Sequence, residues 1–276
     1  RGAERGLERA RGGRFVSAAK VPAKPKPIVC SVARRDHAKD PVRTDVFEID
    51  IPVEATLHDL LSAIARDPTP RKGARVTAPA ADAHCLEGSC GGCAIRAGGR
   101  AVLACTTRIE EVPRRGGVIA LEPLGVFPVV RDLVVDRHVR DADGDGFATP
   151  SAPNSPSTAA STAAPSGVAA TPDRAALGSC IACGACLDAC PEASLAGGFV
   201  GAEAIVRNRR AHASPAATEA DRAALDAALR RPGGIAECGH AQNCVDVCPV
   251  AVPLAAALAA ASRAAAAPFL PAWLRR

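Results

Sequence analysis

Twelve cysteines stand among the 276 residues, and eleven of them fall into groups whose spacing carries chemistry. Cys85, Cys90, Cys93 and Cys105 follow C-x4-C-x2-C-x11-C, a run suited to holding a 2Fe-2S cluster with two thiolates on each iron. Gly88, Gly91 and Gly92 lie between these ligands, where a missing Cβ lets backbone N–H groups turn toward sulfide. Cys180, Cys183, Cys186 and Cys190 precede Pro191 in C-x2-C-x2-C-x3-C-P, a run whose fourth thiol serves a second cluster. The matching downstream copy is imperfect: Cys238, Ala241, Cys244, Cys248 and Pro249 repeat the spacing with alanine in one cysteine position. Crossing the fourth ligands assigns Cys180, Cys183, Cys186 and Cys248 to a 4Fe-4S cluster. Cys190, Cys238 and Cys244 remain for a 3Fe-4S cluster, because Ala241 offers no donor atom to a fourth iron. Zinc or disulfides are the competing readings. Zinc favours paired C-x2-C knuckles, and neither reading accounts for crossed ligands or a repeated Cys-Pro. Cys30 is left over inside an expected strand and reads as a buried thiol with no ligand role. Thiols at this density fit a reducing compartment.

Other patterns carry less. Residues 141–146 open like an EF-hand loop, but position 12 is Ala152 rather than a bidentate Glu, so a solvated linker is expected. His84 and His240 adjoin cluster ligands and could tune a potential, though a surface placement serves equally. There is no Gly-rich nucleotide loop after a strand, no nucleophile elbow and no motif of paired carboxylates. The expected task is therefore electron transfer between partners, with no substrate site in this chain.

Composition narrows the class. Aromatic residues make up 3%, with no Tyr and one Trp, which removes base stacking as a binding mode. Residues 1–26 hold eight basic and two acidic side chains, while the rest of the chain is close to neutral. A basic tail on a neutral body argues against nucleic acid as a partner and is expected to be disordered. No apolar run follows the basic start, so no secretory leader is expected. The longest apolar stretch, Val250 to Ala261, falls short of the roughly 20 residues that span a bilayer. Any membrane contact is expected to go through a partner.

The elements that must hold these cysteines can be read from periodicity. Residues 28–36 and 45–53 are expected to pair as strands, Phe47, Ile49, Ile51 and Val53 alternating with Glu48 and Asp50. Thr56 caps a helix whose apolar positions are Leu57, Leu60, Leu61 and Ile64, and Pro68 stops it. Residues 94–97 and 100–103 form a hairpin turning on Gly98–Gly99, and Val118 to Leu121 is another strand. After a linker at 141–172 rich in Ser, Ala and Pro, helix signals take over. Thr218 caps one helix ended by Pro232–Gly233–Gly234, and Pro253 opens an Ala-rich helix closed by Pro268. The expected architecture is α+β: a tail at 1–26, a 2Fe-2S domain at 27–140, the linker, and a helical domain at 173–276.

These residues resemble a known family, the iron–sulfur subunit of succinate dehydrogenase and fumarate reductase. The likeness rests on Arg34–Arg35–Asp36, on the run from Cys85 to Cys93, and on Ala104–Cys105–Thr106. Glu122–Pro123–Leu124, the stretch from Phe127 to Leu133, Cys180 to Cys186, Phe199–Val200–Gly201 and Gly239 to Pro249 extend it. The chain is most similar to the branch with a single di-haem cytochrome b and usually menaquinone. The resemblance implies a β-grasp plant-type ferredoxin domain followed by an all-α bacterial-type dicluster ferredoxin domain. It implies docking on a flavoprotein subunit with covalent FAD that oxidises succinate, and on a cytochrome b membrane anchor carrying haem b. Electrons would pass through 2Fe-2S, 4Fe-4S and 3Fe-4S clusters to a quinone near Cys190 and Cys238, with Pro191 and His240 as candidate neighbours of it. The subunit would sit peripherally on the cytoplasmic face of the cell membrane. The reverse direction, quinol:fumarate reduction, and a free multi-cluster ferredoxin are the alternatives. The Pro191–Glu192–Ala193–Ser194–Leu195 stretch departs from the Trp-containing segment of ubiquinone-type members.

Overall fold

The sequence IVCSVAR alternates buried and half-buried positions, as a strand inside a sheet requires. In the computed structural model, which describes residues 27–37, 39–137, 172–193 and 198–271, this segment is β1 (Ile28–Arg34). It pairs antiparallel with β2 (Arg43–Ile49), Ile28 opposite Ile49 and Arg34 opposite Arg43. On its other side β5 (Val118–Glu122) runs parallel, and the hairpin of β3 (Ala94–Ala97) and β4 (Arg100–Leu103) continues outward. The order is β2-β1-β5-β3-β4. Gly98 and Gly99, at φ 58 and 88, make the left-handed pair that a two-residue hairpin turn needs.

The second strand starts two residues before the expected 45–53 and stops four residues short of it. Pairing ends at Ile49 because β1 begins opposite it. The alternation that continues through Ile51 and Val53 marks side-chain burial against the core, while Val53 O accepts from Glu110 N instead of from a strand. Likewise Arg35 and Asp36 fall beyond the end of β1.

Helix α1 (Leu57–Arg66) closes over the sheet. Thr56 Oγ1 accepts from Asp59 N, and Asp59 Oδ2 accepts from Thr56 N, a reciprocal cap. Leu57, Leu60, Leu61 and Ile64 share a core with Cys30, Val32, Phe47 and Ile119. A short ribbon, β6 (Val129–Arg131) and β7 (Val134–Val135), turns at Asp132, whose φ is 47.

The linker expected at 141–172 lies outside the described residues up to position 171, as do the basic tail and the EF-hand look-alike. Beyond it the structure is helical: α2 (Pro172–Gly178), α3 (Ala185–Asp188), α4 (Ala202–His212), α5 (Glu219–Ala228), α6 (Asn243–Asp246) and α7 (Leu254–Ala266). Thr218 and Asp221 cap α5 as Thr56 and Asp59 cap α1. Pro253 is the N-cap of α7 rather than a first-turn residue, and a 3₁₀ turn at Ala267–Phe269 contains Pro268. Periodicity did not announce α4, because two of its buried positions are Asn208 and Arg209. Their polarity is satisfied internally: Asn208 Nδ2 donates to Leu225 O, and Arg209 binds Asn208 Oδ1 and Asp226 Oδ1. A second core gathers Phe199, Ile205, Leu229, Ile235, Leu254 and Leu258. No helix among the described residues is long and apolar enough to cross a membrane.

Candidate metal centres

The loop before β3 brings Cys85, Cys90 and Cys93 to the end of the hairpin, where Cys105 leaves β4. Cys93 and Cys105 are buried, with Sγ atoms 3.2 Å apart and no disulfide between them. Ser89 and the backbone of Glu87 hydrogen-bond Cys85 and lower its pKa to about 6, while burial lifts Cys105 to about 11. Gly92 N donates to Cys90 Sγ at 3.4 Å. A Cβ on Gly92 would sit 2.7 Å from His84 Cδ2, so the exposed His84 borders the loop. Arg137 also braces it, donating from Nη2 to Gly92 O and Ala94 O at 3.0 and 3.3 Å. Nothing in the sequence marks that arginine, since its partners are backbone carbonyls forty-odd residues away.

The other two thiol groups are built from one motif used twice, 58 residues apart. Ala182 and His240 have φ 50 and 52, and Gly184 and Gln242 have φ 81 and 59. Each copy then makes a single helical turn, α3 or α6, before its Cys-Pro. Asn243 Nδ2 donates to Ala189 O at 3.1 Å, tying the second copy to the first. This packing puts Cys180, Cys183, Cys186 and the distant Cys248 around one narrow pocket. Cys190, Cys238 and Cys244 line a separate cavity of about 460 Å³, with Ala241 on its wall in the place of a fourth thiol. Pro191 and His240, the residues expected near a quinone, line the same cavity and are exposed, and the Leu258–Ser262 face of α7 forms its far side.

Burial raises the thiol pKa of Cys180, Cys183 and Cys244, and lifts Cys186 well above its usual value. Glu203, on the wall of the four-thiol pocket, opposes ionisation of Cys186 further. Buried thiols gathered in this way ionise when a cation compensates them, so the donor set suits iron. Val252 N aims at Cys248 Sγ at 3.3 Å, the kind of amide that stabilises bound thiolate. Cys30 stands apart: it is fully buried in β1, and desolvation pushes it up to about 12, so it offers no thiolate.

Six non-glycine residues among those described hold positive φ, and five of them, Leu86, Ala182, His240, Gln242 and Ala251, lie within or beside these cysteine loops. Such strain persists where the surroundings demand a particular backbone path. The loops also touch each other. A Cβ on Gly91 would lie 2.8 Å from Ile181 O and 2.9 Å from Cys183 Cα, so the first thiol loop is in contact with the second. Cys183, Ala185 and Leu187 are buried in the core of the sheet-bearing part.

Comparisons with known proteins match both halves of the chain. The family model for a 2Fe-2S iron-sulfur cluster binding domain matches residues 29–141, and that for a 4Fe-4S dicluster domain matches 176–252. The succinate dehydrogenase iron-sulfur subunit of Bacillus subtilis is 33% identical over 242 residues, 83% of this chain and 88% of that one. The same subunit of Coxiella burnetii is 40% identical over 52 residues, 19% of this chain and 21% of its own length. A chain of the Mycobacterium smegmatis Sdh1 complex in the apo form shares the fold, with TM-score 0.70 at 21% identity over 90% of this chain and 99% of that one. With thiol loops of this build on two ferredoxin-like halves and a relative matched along most of its length, the chain belongs to the family of succinate dehydrogenase iron–sulfur subunits.

Proposed function

We propose that the chain relays electrons from a flavoprotein subunit with covalent FAD, which oxidises succinate, to a membrane quinone, with menaquinone favoured. Cys85, Cys90, Cys93 and Cys105 hold a 2Fe-2S cluster; Cys180, Cys183, Cys186 and Cys248 hold 4Fe-4S; Cys190, Cys238 and Cys244 hold 3Fe-4S. Two modules, residues 27–140 and 173–276, carry them. A cytochrome b anchor with haem b keeps this peripheral chain on the cytoplasmic face of the membrane. The observation that carries the reading is the contact of the Gly91 loop with Ile181 and Cys183, which leaves no intervening layer between the first two thiol sets. When bound, each iron–sulfur core takes up and releases one electron at a potential set by charge, burial and hydrogen bonds.

The chain's own part is to fix spacing and bias potential. Gly92 N and Val252 N direct positive dipole ends at ligand sulfurs, which stabilises added negative charge. Glu203 places a carboxylate at the four-thiol pocket and so disfavours reduction there. Ala241 withholds a ligand from the 460 Å³ cavity, which leaves that site with three thiols.

Electron paramagnetic resonance on the assembled complex, reduced and oxidised, tests the reading together with Cys248→Ser and Ala241→Cys. The native complex is expected to show all three centres. Cys248→Ser should damage the four-iron centre first, and Ala241→Cys should convert the three-iron signal of the oxidised protein. A Cys248→Ser complex that loses the three-iron signal alone would overturn the crossed assignment.

A further inference from the structure

Asp188 lies midway between Cys186 and Cys190, at the end of α3, yet its side chain is only 3% exposed. It is buried against the other half of the molecule. Gly125 N donates to its Oδ1 at 2.5 Å. Arg96 Nε stands 3.5 Å from its Oδ2, an ion pair without hydrogen-bond alignment. Arg96 is the third residue after Cys93, on β3. The partners of Asp188 thus belong to the scaffold of the first thiol loop, while Asp188 belongs to the scaffold of the second.

The repeated motif supplies an internal comparison. Asp246 occupies the same place in the downstream copy, at the end of α6, and it is exposed. A carboxylate at this position is therefore not required by the helical turn. What differs is the seat: both copies reach the sheet-bearing half, the second through Val247, but only Asp188 is buried there on an arginine and a backbone amide. A carboxylate buried at a junction, on an arginine and the Gly125 amide, points to a positional role.

We infer that Asp188, clamped by Arg96 and the Gly125 amide, is a positioning residue that sets the separation of the 2Fe-2S and 4Fe-4S sites. This rests on the function proposed above. Gly91 against Cys183, and Ala185 and Leu187 in the sheet-bearing core, hold the halves in apolar contact, and Asp188 adds the directional polar tie that fixes their register. Electron tunnelling falls off exponentially with distance, so a shift of register would slow transfer without removing either centre.

The test uses the assembled complex with Asp188→Ala, Asp188→Asn and Arg96→Gln. Iron and acid-labile sulfide are counted, and the microwave-power saturation of the reduced two-iron signal reads its magnetic coupling to the four-iron centre. Asp188→Ala and Arg96→Gln are expected to keep native iron and sulfide but lose relaxation enhancement, with faster hydrogen exchange at Gly125 in Asp188→Ala. Asp188→Asn keeps an acceptor for the Gly125 amide and should retain more of the coupling than Asp188→Ala. Unchanged saturation in both Asp188→Ala and Arg96→Gln would overturn the inference. So would loss of iron from either, which would make the clamp a matter of cluster retention. Should Asp188→Ala not assemble, Arg96→Gln, which leaves the 180–190 segment unaltered in sequence, gives the same reading. A native complex lacking the two- or four-iron centre would instead overturn the proposed function, and this inference with it.

Discussion

Gly91 concentrates the residue-scale argument. Its φ of 71 lies where an L-residue is strained, and its missing Cβ is what admits Ile181 O and Cys183 Cα. The neighbouring atoms are backbone and cannot swing aside. Gly91→Ala should therefore cost about 1–2 kcal/mol from the backbone angle alone and push the two thiol loops apart. Denaturation midpoints of the assembled protein measure this, and a native midpoint would show that the contact is not tight. The glycines between ligands were legible in the sequence as places where backbone approaches a cluster. That Gly91 instead admits the other thiol loop was not, because its partner is ninety residues away. Leu86, Ala182, His240, Gln242 and Ala251 were equally silent, since side-chain type does not report a left-handed backbone at a non-glycine position.

Elements are joined by buried charge as much as by apolar surface. Arg34, at the end of β1, is fully buried and donates to Asp132 Oδ1, Asp45 Oδ2 and Thr77 O. Asp132, at the turn between β6 and β7, also accepts from Arg35 N and Ala80 N. One carboxylate thus locks β1, the 77–80 segment and the ribbon together. Asp132→Ala strips the acceptor from Arg34 Nε and two amides, while Asp45 and Thr77 O still hold the rest of the guanidinium, which should cost about 2–4 kcal/mol. Chemical denaturation checks it, and a loss under a quarter of that range would mean water replaces the carboxylate. The sequence marked Arg34–Arg35–Asp36 and the Phe127–Leu133 stretch only through family likeness, without indicating that they meet. In the helical half, α5 and α7 were visible from their caps and prolines, whereas α4 hid because Asn208 and Arg209 occupy its buried face.

The whole molecule is asymmetric in what holds it together. The sheet-bearing half has β1, β2 and β5 with α1 around Val32, Phe47, Leu60 and Ile119, and its first thiol group enters that core only through Cys93 and Cys105. In the helical half Cys180, Cys186, Cys190, Cys238 and Cys248 all border the core, so the loops that complete it depend on what those thiols bind. Stripping iron with a chelator should therefore expose the amides of α4 and α7 to hydrogen exchange while β1 and β5 stay protected. Loss of protection in β1 and β5 first would contradict this division. The cysteine spacing, the two caps and the glycine hairpin were determined by the sequence alone, because each is a local rule linking a few neighbouring residues. Which thiols share a pocket was expected from the motif's repeat and then given a shape by packing. The seating of Asp188, the union of Arg34 with Asp132 and the contact at Gly91 were decided only by tertiary structure. Each joins residues far apart in the chain, where no periodicity or spacing reaches.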